Sequence, residues 1–177
     1  CYKYIFMVTE RSNFMKEVKN YEWSSLLDLT GKGLNQFNAV DQNLNCSQLM
    51  NNANLDWNVE MKPVLFAKDT DIVKSDKFYS LVKDNKEVLV SGLTDSYHPM
   101  QNDQIARIGD HVARNTGIKF EHAFSYDRDK YVTFLAKTNG QFNIGDDVVK
   151  SYIMFNNFHT GRDKSSILTT NISVWCS

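Results

Sequence analysis

From Lys77 onward, three pairs of runs with alternating apolar and polar side chains each flank a short polar turn. "KFYSLVK" and "EVLVSGLTDSY" flank "DNKE", "IKFEHAFSY" and "KYVTFLAK" flank "DRD", and "KSYIMFNNF" and "SSILTTNISVW" flank "HTGRDK". A period of two sends successive side chains to opposite faces of a strand, so each pair predicts a β-hairpin. This commits most of the second half of the chain to antiparallel sheet. Gly161 supplies the backbone freedom of the third turn, and the spacing predicts an exposed turn from His159 to Lys164.

Helical signals fall between the strands. Asn45 is a good cap for "CSQLMNNA", which brings Cys46, Leu49, Met50 and Ala53 to one side. "DWNVEMKPVLF" alternates Trp57, Val59 and Met61 as a strand would, and Pro63 predicts an edge or a bulge in it. Pro99 stops the next strand. Asn102 is then the expected cap of the helix "DQIARIGDHVARN", which carries an apolar stripe of Ile105, Ile108 and Val112 and ends at Gly117.

The expected fold is α+β, with an antiparallel sheet built from three hairpins and helices packed on one face. Residues 1–44 read as an N-terminal strand/helix segment: "YKYIFMV" as a strand, then Trp23, Leu26 and Leu27 at helical spacing, then a break at "GKG". Residues 45–177 read as the α+β domain, the whole as a single domain. The expected core includes Trp57, Ile105, Ile108, Val132, Phe134, Ile153, Phe155 and Val174.

Composition narrows the function classes. Apolar residues make up 42% of the 177 and aromatic ones 12%, which suits a packed core. The net charge is -1, and residues 118–177 carry seven Lys/Arg against six Asp/Glu, so any anion site must be local. Three cysteines (Cys1, Cys46 and Cys176), far apart and without CxxC spacing, argue against a disulfide framework or a structural zinc and fit reduced thiols in a cytosolic protein. "YIFMV" is too short for a signal-peptide core or a membrane span.

Most catalytic readings fail. "GRDKS" at 161–165 lacks the second glycine and the spacing of a phosphate loop, and the kinase pattern is absent from His159, Arg162 and Asp163. The histidines, His98, His111, His122 and His159, form no HxH or HExxH pair, so no metal is expected. Cys176 beside Trp175 reads as a small buried hydrophobe. The expectation is a non-enzymatic protein without cofactor. Nucleic-acid contact fares better, because single strands are held by aromatic faces interleaved with cations. Two turns fit in miniature: Tyr126, Arg128, Lys130 and Tyr131 in one, Phe158, His159, Arg162 and Lys164 in the other. The plainer reading is that these aromatics pack and the turn charges are merely solvated.

From about Asn45 to Ser177 the chain resembles the phage/plasmid-like protein family, a family of unknown function found in bacteriophages and on plasmids. Three blocks carry the resemblance: "LDWNVEMKPVLF" with Leu55, Asp56, Trp57, Val59, Glu60 and Pro63; "VSGLTDSYHPMQNDQI" with Gly92, Tyr97, Pro99, Gln101 and Asn102; and "FHTGRDKSSILTTNISVWC" with His159, Gly161, Ser165, Ser166, Val174 and Cys176. Asn171 and Ser173 stand where the family tends to have proline and arginine. The resemblance implies a mobile-element protein of the bacterial host cytoplasm and brings no catalytic residues. The order of elements is also similar to the core of phage single-strand annealing recombinases, which form rings or filaments and hold single-stranded DNA in a groove. The reading that follows is a mobile-element protein that binds single-stranded nucleic acid in recombination or replication, self-associates and touches no membrane. The alternative is a protein-binding module, such as an inhibitor of a host defence or an assembly factor, with a host or phage protein as partner.

Overall fold

Alternation along the chain produces two antiparallel sheets rather than one. The structure is a computed structural model that describes residues 2–7, 44–144 and 147–176. Strands β2 (Val59–Lys68), β3 (Asp71–Lys83) and β4 (Glu87–Leu93) form a three-stranded meander. Strands β5 (Lys119–Tyr126), β6 (Tyr131–Ile144), β7 (Asp147–Phe158) and β8 (Ser166–Cys176) form a second one, and β1 (Tyr2–Met7) adds along β8. The expectation of a single sheet built from three hairpins is corrected on this point. Period two reveals which neighbouring runs can pair. It carries no information about which pairs share an edge, and here β4 and β5 belong to different sheets, with a helix between them in sequence.

Two helices complete the α+β architecture: α1 (Cys46–Asn52) and α2 (Asn102–Thr116). They pack on each other and on the larger sheet, α1 against β5 and α2 against β7. The side chain of Asn45 accepts from the amide of Gln48, whose own side chain accepts from the amide of Asn45, a reciprocal cap. Asp110 of α2 also takes the amide of Cys46 at 2.5 Å and the hydroxyl of Ser47 at 2.5 Å, which fixes α1 to its neighbour. Gly109 permits this close crossing, because a Cβ there would lie 2.7 Å from the Phe120 ring and 3.1 Å from the Cys46 sulfur.

The cap of α2 differs from the expected one. Gln101, not Asn102, precedes the first turn, and its amide donates to Gln104 at 2.8 Å. The Gln101 side chain instead mimics a strand, accepting from the amide of Val59 and donating to its carbonyl, which ties the smaller sheet to the start of α2. Gly117 closes the helix in the left-handed region at φ 74°. Pro63 lies beside a register irregularity in β2, as its missing N–H dictates.

The core joins both sheets to the helices: Leu81, Leu89 and Leu93 from the smaller sheet, Cys46, Leu49 and Ile105 from the helices, and Val132, Phe134 and Phe155 from the larger sheet. Burying a side chain such as Phe134 or Phe155 contributes about 1.5–3 kcal/mol. Trp57 is buried as expected and Ile153 partly so. Ile108 is 39% exposed, a correction: the buried stripe of α2 runs through Ile105, Ala106 and Gly109, with Val112 packed beside it. The side chain of Val174 and the segment bearing Trp23, Leu26 and Leu27 lie outside what is described.

Candidate nucleic-acid interface

The turn between β5 and β6 and the loop between β7 and β8 meet at one end of the larger sheet. Asp127, Arg128 and Asp129 all take positive φ, from 47° to 63°, and Lys130 N–H closes the turn on the Asp127 carbonyl at 3.2 Å. The backbone N–H of His159 then donates to the carbonyl of Lys130 at 2.7 Å and joins this turn to the loop. Within the loop the Thr160 hydroxyl accepts from the amides of Arg162 and Asp163 and donates to the Asp163 carboxylate at 2.8 Å. Local side-chain bonds of this kind shape the turn without a second strand.

The eight residues expected at the interface divide into an outer and an inner set. Arg128, Arg162 and Lys164 are exposed, and among the described residues none of them forms an ion pair. Lys130 is half-buried and lies 3.4 Å from Asp127. Tyr126 and Tyr131 stack face to face at 4.7 Å and 5°. Phe158 meets Tyr131 edge-on at 5.4 Å and is buried. Burial pushes the Tyr126 hydroxyl well above its ordinary pKa, with Tyr131, Asp163 and Asp127 pushing the same way.

His159 overturns the expectation of an exposed turn from His159 to Lys164, since its exposure is 0%. Its ring lies 5.0 Å from that of Trp57 and beside two polar side chains, Asn102 and Asn157. Asn102 donates its amide N–H to the Leu55 carbonyl at 2.9 Å, which fixes its oxygen toward the histidine. That oxygen accepts from Asn157 at 2.9 Å and lies 3.0 Å from Nε2 of His159, so Nε2 carries the proton. Asn157 also donates to the Met100 carbonyl and accepts from Ser165 at 2.7 Å. Nδ1 of His159 is the lone-pair nitrogen, and no hydrogen bond reaches it from the described residues. Burial lowers the His159 pKa to about 4, against the opposing pull of Asp129.

Asp129, absent from the expected site, organises the far side of the turn. It accepts from the Lys83 ammonium and from the Ser125 hydroxyl. Burial alone would raise its pKa, but the bonds from Lys83 and Ser125, with the charges of Lys83 and His159, hold it below the ordinary carboxylate value. Lys83 also lies over the Trp57 ring at 4.8 Å. Nothing local in the sequence signals these roles, because Lys83 and Asp129 are 46 positions apart. Among the described residues no three His, Cys, Asp or Glu side chains gather where they could hold a metal ion. Nor is any helix among them long and apolar enough to cross a membrane.

Residues 90–177 match a family described as a domain of unknown function (DUF932). The match covers about half of the chain and includes α2, the larger meander and both turns of the candidate interface. The block from Leu55 to Phe66 lies outside it. No curated protein and no solved structure matches the chain.

Proposed function

We propose that this end of the molecule binds single-stranded nucleic acid, without catalysis, as part of the recombination or replication of a mobile element. The reading rests on one relationship above all. The bond from His159 N–H to the Lys130 carbonyl joins two turns far apart in sequence, which would bring their exposed cations, Arg128, Arg162 and Lys164, to one surface. Those cations would neutralise successive phosphates. Tyr126, half-buried and already stacked on Tyr131, would extend that stack to a base. Phe158 and His159 lie behind the surface and would hold the turns in place. Asp127, Asp129 and Asp163 limit the local positive field, so affinity per subunit should be modest and should grow when several subunits share one strand.

The test is fluorescence anisotropy of a labelled single-stranded oligonucleotide at low salt, across a wide range of protein concentration. Binding that is indifferent to base sequence is the expected result. No binding by folded protein would remove the reading. A protein partner would then take its place, favoured by the exposed Leu65, Phe66 and Ile72 on the smaller sheet.

A further inference from the structure

Beyond Pro63 the smaller sheet loses its third strand. The register of β2 shifts between Pro63 and Leu65, and β4 pairs with β3 only from Tyr79 to Lys83. Ser75 lies where the β2–β3 register breaks, its hydroxyl accepting from the amides of Lys77 and Phe78. The outer part, residues 65–74, is thus a two-stranded ribbon, a form that is marginal in water by itself. It nevertheless exposes large apolar side chains. The pairs Phe66–Val73 and Lys68–Asp71 share one face, so the Phe66 ring, 49% exposed, shares that face with a cation and an anion.

A cleft of matching character lies elsewhere on the molecule, where α1, the end of α2 and the start of β5 meet. Its volume is about 310 Å³. Ala113, Ile118 and Phe120 give it an apolar floor, and Asp110, Arg114 and Lys119 line it with charge. Arg114 and Lys119 are exposed and form no ion pair among the described residues.

We infer that the ribbon of one copy of this chain docks into the cleft of a second copy. Phe66 enters the apolar floor, Asp71 meets Arg114 and Lys119, and Lys68 lies toward Asp110. The arrangement supplies both surfaces with a partner of opposite charge and covers the Phe66 ring that the ribbon leaves in water. Because ribbon and cleft are different patches, the contact closes as a two-fold dimer where two copies exchange ribbons, and otherwise propagates from copy to copy into a ring or a filament. This inference stands independently of the nucleic-acid reading.

Sedimentation velocity over a wide concentration range tests it on the intact chain. The unaltered protein should assemble as concentration rises. Asp71→Lys and Arg114→Glu, both at exposed positions, should each weaken assembly by roughly tenfold or more, as loss of a central contact does. An equimolar mixture of the two variants should assemble again, since the lysine of one ribbon then faces the glutamate of the other cleft. Phe66→Ala should weaken assembly with no such rescue. A monomer at every concentration, variants that assemble normally, or a mixture no better than its components would each overturn the inference.

Discussion

The carboxamide oxygen of Asn102 accepts from Nε2–H of His159 at 3.0 Å, joining the first turn of α2 to the end of β7 across 57 positions of sequence. Both residues are buried, so neither can exchange its partner for water. The bond fixes where the β7–β8 loop begins and, through the adjoining N–H to Lys130, where the β5–β6 turn ends.

Asn102→Ala should therefore be costly. It strands the Nε2–H of His159 and the carbonyl of Leu55, while Asn157 keeps its bond to Met100. At about 1–3 kcal/mol for each stranded group, the loss should be about 2–6 kcal/mol. Urea unfolding followed by circular dichroism measures it, and an unchanged midpoint would show that the network contributes nothing to stability.

Gly161→Ala meets two obstacles. The residue has φ 77°, where an L side chain is strained, and a Cβ there would collide with Cδ2 of Leu93. A loss on the order of 1–3 kcal/mol is expected. Leu93→Ala alone should also destabilise, because Leu93 belongs to the core. The double variant should lose less than the sum of the two, since removing the leucine clears the space. Strict additivity in a double-mutant cycle would argue that the contact is unimportant.

How much of this was legible in the sequence follows from the reach of each signal. The reciprocal cap at Asn45, the left-handed end at Gly117 and the irregularity beside Pro63 are local devices, and reading them needs only a few neighbours. Asn102 looked like a cap because its true partners, Leu55 and Asn157, lie 47 and 55 positions away. His159 looked solvated because its loop is full of charges. Its burial comes from Trp57 and the lead-in to α2, which no local pattern reveals. Arg128, Arg162 and Lys164 were legible as exposed turn cations, whereas the juxtaposition of their two turns depends on the β6–β7 register, which pairs Tyr131 with Phe158 and continues into the His159–Lys130 bond.

The buried histidine gives stability a pH dependence whose sign is fixed. His159 has a pKa of about 4 in the folded chain against an ordinary value of 6.5. Between these values the unfolded chain binds a proton that the folded chain does not, so stability is complete above pH 6.5 and falls as pH drops toward 4. The full effect is about 3 kcal/mol, at about 1.4 kcal/mol for each pH unit between the two values. His122, also lowered chiefly by burial, adds in the same direction. Unfolding free energies measured from neutral pH down to pH 4 should show the loss, and His159→Gln should remove most of it. If the Gln variant keeps the same slope, the proton is taken up elsewhere.

The salt dependence of DNA binding separates the proposed interface from a nonspecific surface. Each phosphate neutralised on a single strand contributes a slope of about -0.7 in log affinity against log salt, so three contacts predict about -2. Replacing Arg128, Arg162 and Lys164 together by Ala should flatten that slope and leave the fold intact, because all three are exposed and form no ion pair among the described residues. Lys130→Ala should matter less, because Asp127 already partners that ammonium. Tyr126→Ala should cost about 1–3 kcal/mol in binding if its ring stacks a base. It also removes the stack on Tyr131, so unfolding must be measured beside binding. An unchanged slope in the triple variant would place any nucleic-acid contact on another surface, and a Tyr126→Ala variant that binds normally while losing stability would assign the ring to packing alone.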